Sequence, residues 1–545
     1  MTVQKAQNTG LILISKGFIM CVVATIRHQL GAAMGQQVGL RFEYESTTTS
    51  GATALAGLPL YFELAHVLAL GKQIRAFVPV RAGCDPDVPD AGWSDFTNIV
   101  TLVALNLARG ESVADLDLLR KDEGFVRFAR SVACAGLRRR ERRAKERLLT
   151  KSGDVPIPSQ SAVFRFLRSF HGPEQGVARK PGEAIIVPEH ARLRGLWQVV
   201  ASLLGVMQKH QPQEVVTLDG DATLVETHKA EALRCYKGFK AYQPLNVYLP
   251  CWGMVLYSQF QDGNVPCGKD QLAVLVRALE LIPAGVRKVM LRMDTQGYEW
   301  ELLRYLAEGK NERFGVIEFA VGADVTPELK KEVAKLRPSA WKDLPRQQGE
   351  VTQQWAEVPF VPNASATRKD GPAYRFVVTR EALRQPSLPG VQSELPFPTM
   401  EFAELGQCKL HAIVTNRKLG GSELVDWYWQ RCGKSEEAHS VMKSDLAGGR
   451  MPSGDFGANA AWWTIMLLSL NLNELFKRLA MGEGWVTKRL KAIRLHVIGV
   501  AARVVEHSRQ VVLRLSAGHT STALMLLARE RILALAVEPE VAASG

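Results

Sequence analysis

A run of β-branched residues with two aspartates set into it, Gln213 to Glu226 (QEVVTLDGDATLVE), constrains the fold more than any other feature of the chain. Asp219 and Asp221 share strand parity with Val215, Thr217 and Thr223, so both carboxylates point to one face and alternation does not choose between them. Aspartate is depleted in strand interiors and costly to bury without a partner. The segment therefore reads either as a strand whose acids have a purpose or as a turn centred on Gly220. A second run, Arg287 to Met293 (RKVMLRM), also reads as a strand and ends directly in Asp294, ahead of the helical YEWELLRYLAEG. Between the two lies Leu272 to Leu281, helical in pattern. Strands separated by a helix predict an α/β fold. Asp294 then stands at the carboxyl end of its strand, where the ligand sites of such sheets gather, although an ordinary turn aspartate has the same context.

Elsewhere the patterning changes. From about Ala54 to Phe170, apolar residues at three-to-four spacing predict several short packed helices (ALAGLPLYFELAHVLAL, NIVTLVALNLA, VADLDLLRKDEGFVRFA). Leu137 to Arg147 (LRRRERRAKER) carries seven basic residues, and Ser159 to Phe170 (SQSAVFRFLRSF) opens on capping residues and sets arginines between aromatics. A charge run is usually a solvated helix face. Two such segments close together, with Arg138, Arg139, Arg140, Arg142, Arg143, Arg165 and Arg168, point to DNA contact. Gly172 to Gly182 reads as a linker. From about Ala323 to Gln407, proline, charge and short strand-like pieces (GEVTQQWAEVPFV, YRFVVTR) read as an inserted strand-rich module. Helical character returns over Ser422 to Gly448 and in NAAWWTIMLLSLNLNELFKRLAMG, where Trp462 and Trp463 read as packing. ARVVEHSRQVVLRLS then reads as a hairpin before a last apolar helix.

Chemistry concentrates in Asp426 to Lys443 (DWYWQRCGKSEEAHSVMK). Ser435 is placed to cap a helix starting at Glu436, which puts Glu436, His439 or Ser440, and Lys443 on one stripe. Tyr428 and Arg431 lie just upstream, within reach of a phosphate held at that face. The plainer reading is a helix start with two acids in the first turn, which the helix dipole favours. Two-metal phosphoryl transfer needs three carboxylates to converge, because hard divalent cations take oxygen ligands. Two strand acids and a helix acid, in that order, supply them.

At 545 residues the chain has ample material for two to four domains and needs no disulfides to fold. Its eight cysteines show no CxxC pair and no zinc spacing, so they read as reduced thiols. A net charge of +13 suits a polyanionic partner, with nucleic acid the first to test. The apolar run Leu11 to Ile26 is broken by Lys16 and Gly17 and is short for a membrane span, so no membrane partner is expected. No GxxxxGK or GxGxxG stands in a fitting context, which argues against a nucleotide partner.

Around the acids, LDGDATLVETHKAEALRCYKGFKAYQPL, VMLRMDTQGYEWELLRYL and YWQRCGKSEEAHSVMK with FGANAAWW resemble the DDE transposases of bacterial insertion sequences. In the subgroup concerned, a Tyr, Arg, Glu, Lys signature corresponds to Tyr428, Arg431, Glu436 and Lys443. One residue more than the family's interval separates Arg431 from Glu436, which leaves Glu437 as a rival; Glu436 alone keeps the interval before the lysine. The family's Asp, small residue, Thr sequence matches Asp221, Ala222 and Thr223, favouring Asp221 over Asp219.

The resemblance implies an α/β fold with a ribonuclease H-like catalytic domain, its mixed sheet flanked by helices, over 206–322 and 408–480. It further implies a β-rich insertion at 323–407, a helical DNA-binding region at 34–205 and a C-terminal region at 481–545. Residues 1–33 are expected to be a non-native or disordered extension, with Met34 as an alternative start. Asp221, Asp294 and Glu436 would be the catalytic, metal-holding residues for two Mg²⁺ or Mn²⁺ ions, and Tyr428, Arg431 and Lys443 would contact DNA phosphate. The implied activity is cut-and-paste transposition: binding of terminal inverted repeats in double-stranded DNA, cleavage, and strand transfer by a homodimer in a synaptic complex. Such a protein would be bacterial and cytoplasmic, associated with the nucleoid when on DNA. Two other readings remain, a catalytically inactive DNA-binding derivative and a ribonuclease H-like nuclease that does not join ends.

Overall fold

The computed structural model describes residues 51–80, 93–134, 137–151, 155–176, 179, 183–344, 352–362, 374–383, 395–507 and 510–536. The extension expected at 1–33 lies outside them, as do Cys21 and Cys84.

The QEVVTLDGDATLVE run forms strand β1 (Val215–Ala222), so the two aspartates lie within a strand and not in a turn. In chain order follow β2 (Leu245–Leu249), β3 (Met254–Gln259), β4 (Lys288–Met293), β5 (Glu318–Ala323), β6 (Lys342–Asp343), β7 (Gln353–Val358), β8 (Arg375–Ala382), β9 (Thr399–Phe402) and β10 (Gly406–Thr415). β1, β4 and β5 run parallel as neighbours, while β2 and β3 add antiparallel on the other side of β1. This mixed order, β3-β2-β1-β4-β5, is the ribonuclease H-like arrangement. Beyond β5 the same sheet continues antiparallel through β10, β8, β7 and β6, with β9 on β10. The strands seen in GEVTQQWAEVPFV and YRFVVTR are therefore stitched onto the catalytic sheet by main-chain hydrogen bonds.

Helices α1 (Leu58–Val67), α2 (Leu70–Phe77), α3 (Asp95–Leu107), α4 (Leu116–Lys121), α5 (Glu123–Ala133), α6 (Arg139–Lys151), α7 (Gln160–Arg168) and α8 (Ala191–His210) precede the sheet. Side chains start several of them. Ser94, Asp122 and Ser159 accept from the main-chain N–H groups of Thr97, Phe125 and Ala162, so α3, α5 and α7 begin where their capping residues stand. Later come α9 (Gln271–Glu280), α10 (Trp300–Ala307), α11 (Gly421–Trp429), α12 (Lys434–Ser440), α13 (Phe456–Leu475) and α14 (Thr522–Ala534). The expected hairpin forms from Ala502–His507 and Gln510–Arg514, and its first strand pairs with Ala52–Thr53.

Helix α13 joins the helical and sheet regions. Every one of its residues is buried, as a segment with no polar stripe requires. It packs on α3, α7 and α8 and on β3. Its buried polar groups find partners. Tyr61 Oη donates to Asn473 Oδ1 at 2.8 Å, and Trp463 Nε1 donates to Ser258 Oγ at 3.0 Å. Asn471 lies against β3, the outermost strand on its side of the sheet, accepting from Val255 N–H at 2.9 Å and donating to Val255 C=O at 2.8 Å. One amide thus satisfies both main-chain groups that a neighbouring strand would otherwise pair. Asn471→Leu is expected to leave both unpaired in an apolar setting and to cost about 2–4 kcal/mol, read as a lower denaturant midpoint at unchanged slope. An unchanged midpoint would show that this contact does not hold the edge.

Candidate active site

The parallel register sets Asp219 beside Arg292 and Gly220 beside Met293, so Asp221 and Asp294 emerge next to each other at the carboxyl ends of β1 and β4. The two aspartates of β1 meet different surroundings. Asp219 and Arg292 are 1% and 3% exposed. The Asp219 carboxylate accepts from Arg292 Nε at 2.7 Å and Nη2 at 2.9 Å, while Nη1 donates to Trp427 C=O at 2.7 Å. This buried pair ties β1 and β4 to α11. Asp221, 20% exposed, instead has Arg431 Nη2 at 3.7 Å and His439 Nδ1 at 4.0 Å.

The third acid comes from the segment after α11. Gly433 has φ +79°, a conformation glycine adopts at little cost, and the turn it makes starts α12 at Lys434, two residues before the expected Glu436. The carboxylate of Glu436 accepts from Gly433 N–H at 2.6 Å, so the glycine and this acid cap the helix in place of Ser435. Glu436 and Glu437 are both exposed. A π-helical turn, Val441–Asp445, then carries Lys443. Tyr428 is 3% exposed, its ring 5.4 Å from that of His411 and 5.9 Å from the Arg431 guanidinium carbon. Gly322 of β5 leaves room for the Tyr428 hydroxyl and the backbone after Asp294: a Cβ there would lie 3.0 Å from Tyr428 Oη and 2.8 Å from Thr295 N.

The electrostatics link these groups. Burial, and then the negative charges of Asp294 and Glu436, raise the Asp221 pKa from 3.8 to about 7 against the opposing pull of Arg431. Burial also raises Asp294, which Arg431 counters and whose carboxylate accepts from Gln296 N–H at 3.1 Å. Arg431 therefore acts on both aspartates. Burial lowers His439 to about 4, and its Nε2 lies 3.4 Å from the side-chain nitrogen of Asn246, the residue opposite Asp221 on β2.

A pH dependence follows from Asp221. Its folded pKa lies above the unfolded value, so the folded state holds the proton more tightly and ionisation costs stability. That cost is absent below pH about 4, grows as pH rises, and is complete above about 7. Metal-free Asp221→Asn protein is therefore expected to melt above the wild type at pH 8, the gap closing toward pH 4. Parallel melting curves across that range would refute the raised value.

A cleft of about 650 Å³ opens beside the acids, lined by Ala222 and Gln296 on their side and by Tyr236, Lys237, Phe239 and Lys443 among others. The arginines singled out in the sequence lie elsewhere, on the helical region. Arg138, Arg139, Arg140 and Arg143 are exposed on and just before α6, and Arg142 pairs with Glu146 at 3.5 Å. Arg165 and Arg168 are exposed on α7, the latter 3.6 Å from Asp455.

The structure thus sets Asp221 and Asp294 side by side with Arg431 acting on both, Glu436 near enough for its charge to reach Asp221, Tyr428 behind them and Lys443 on the adjoining cleft. Hard oxygen donors, one of them raised to about 7 by burial and then by the charges of its neighbours, suit a divalent cation. Among the described residues, however, no group of three or more His, Cys, Asp or Glu side chains is already set to hold a metal ion, and the Glu436 carboxylate faces its own helix start. Asn246 and His439 complete the surroundings of Asp221. Only the strand register reveals Asn246, whereas the lone arginine in VMLRM was a legible sign that a buried carboxylate stood opposite.

Fold and site together define a ribonuclease H-like protein with carboxylates gathered at the ends of its parallel strands. Residues 94–395 and 397–537 match the family model described as Transposase DDE domain group 1. The chain belongs to that family: it is a DDE transposase, an enzyme of DNA transposition. Among solved structures, a piggyBac transposase synaptic complex with hairpin DNA aligns with a TM-score of 0.42 at 11% identity, covering 82% of this chain and 81% of that one. No curated protein matches the sequence. No helix among the described residues is long and apolar enough to cross a membrane.

Proposed function

We propose that the chain binds the terminal inverted repeats of its own mobile element, cuts there, and joins the freed 3′ ends to target DNA. The observation that carries this reading is Asp221 and Asp294 side by side under the charge of Arg431, with Glu436 near enough for its charge to act on Asp221. In cleavage, a water oxygen bonds to phosphorus as the bond to the 3′ oxygen breaks, leaving a 3′ hydroxyl and a 5′ phosphate. In joining, that hydroxyl attacks a target phosphodiester, whose own 3′ oxygen leaves. Asp221, Asp294 and Glu436 would hold two divalent ions, Mg²⁺ or Mn²⁺, which when bound activate the attacking oxygen and stabilise the leaving one. Glu436 turns away from Gly433 N–H to take part.

Arg431 offsets the carboxylates before the ions bind and grips the scissile phosphate afterwards, Lys443 holds a neighbouring phosphate, and Tyr428, expected at a phosphate but 3% exposed, supports Arg431 from behind through its hydroxyl. The exposed arginines of α6 and α7, in a DNA-binding region over 34–205, contact the repeats. Catalysis belongs to 206–322 and 408–480, with 323–407 as the insertion and 481–545 as a C-terminal region. Two copies act together on paired ends.

Joining is the step that separates this reading from a simple nuclease. Purified protein with Mg²⁺, a plasmid and a duplex ending in the element's repeat is expected to attach the labelled 3′ end covalently to the plasmid. Cutting without attachment would leave a nuclease, and neither activity would leave a DNA-binding derivative.

A further inference from the structure

We propose that Lys237 and the cleft it lines extend the phosphate contact assigned above to Lys443 into a further phosphate subsite for the DNA strand being processed. This rests on the reading of the acids as the cutting centre. The cleft, about 650 Å³, runs between the 222–243 segment and the 443–450 segment. It is continuous with the acids: Ala222 follows Asp221, and Gln296, whose N–H binds Asp294, lines its wall. Cys267, another lining residue, feels the charges of both Asp294 and Asp221.

Lys237 and Lys443 both line this space. Burial and the charge of Lys237 both hold the Lys443 pKa below its ordinary range. Among the described residues neither lysine has a carboxylate within ion-pair distance, whereas Arg450 on the same cleft is paired with Glu111 at 2.9 Å. Glu226, exposed, also lines the cleft but is within ion-pair distance of neither lysine among the described residues, so the two like charges form a site that an anion completes. A strand whose scissile phosphate lies at the acids carries its next phosphates along the adjoining surface, and the lysines stand there. Tyr236, 73% exposed beside Lys237, offers a ring face to the neighbouring base.

The salt dependence of binding tests this. The full chain, in EDTA, is titrated with a short labelled duplex ending in the element's repeat at salt concentrations from about 50 to 200 mM. Lys237→Ala is expected to reduce the slope of log affinity against log salt by about one and to weaken binding about tenfold, while Lys237→Arg keeps both. Lys237 is exposed, so the alanine variant is expected to melt with the wild type. A slope equal to the wild type's overturns the subsite, even if affinity falls. The measurement needs no metal and no cutting. Failure of the underlying reading would appear instead as undiminished cleavage by Asp294→Asn.

Discussion

Asp294→Asn protein is expected to bind the element's ends as the wild type does and to cut them at least about a thousandfold more slowly. The substitution keeps the size of the side chain and an oxygen that can still accept from Gln296 N–H, so the turn after β4 has no cause to move. It removes one of the two negative charges that act on Asp221, and with it a hard anionic ligand. Removing that charge also relieves Asp221, whose pKa is expected to fall from about 7. A folded, end-binding protein with cleavage lost would assign Asp294 to the chemistry. Cleavage at the wild-type rate would remove Asp294 from the active site, and the three-acid reading with it.

The helix acid should respond differently, because Glu436 also caps α12 through Gly433 N–H. Glu436→Gln retains an acceptor for that bond, so loss of cleavage in this variant is expected without a large loss of stability. Glu437, exposed on the next position of the helix, is the natural control: its glutamine variant should cut normally. The opposite pattern would move the third acid by one residue.

How far the sequence could be read depended on the kind of information each feature needs. β4, with Asp294 at its end, follows from composition and period alone, as do α13 and the C-terminal hairpin, whereas for β1 the same signals left a turn at Gly220 open. Side-chain parity could not separate Asp219 from Asp221, because the distinction lies in a neighbouring strand: Arg292 is opposite one and Asn246 opposite the other. The start of α12 was misread because Ser435 is the better capping residue type. The positive φ at Gly433, which moves the cap two residues upstream, is a property of the turn and not of the helix sequence. That the strands of the 353–415 stretch extend the catalytic sheet was equally invisible, since edge pairing between distant segments leaves no local pattern. The cleft lysines, far apart along the chain, share one space only once the 222–243 segment and the π-helical turn form its walls.

The pair that sequence parity could not resolve gives the second large effect. Arg292→Met is expected to destabilise the protein by about 3–5 kcal/mol, because it leaves the Asp219 carboxylate buried without its cation. Asp219→Asn should cost a comparable amount by stranding the guanidinium. The double variant should cost clearly less than the sum of the two, since removing both charges leaves neither uncompensated. The pair also connects two strands to Trp427 C=O on α11, so its loss loosens the element leading to Arg431 and Glu436. Cleavage by the Asp219 variant, assayed well below its melting temperature, is nevertheless expected to stay within about tenfold of the wild type. Asp221→Asn should do the reverse, abolishing cleavage while raising the stability of the metal-free protein above pH 7, where ionisation of the buried acid is otherwise a cost. Two aspartates two residues apart on the same strand face would thus divide into a structural and a catalytic acid. Each variant is assayed by both melting and cleavage, and an Asp219→Asn protein that melts normally but cannot cut would exchange their roles.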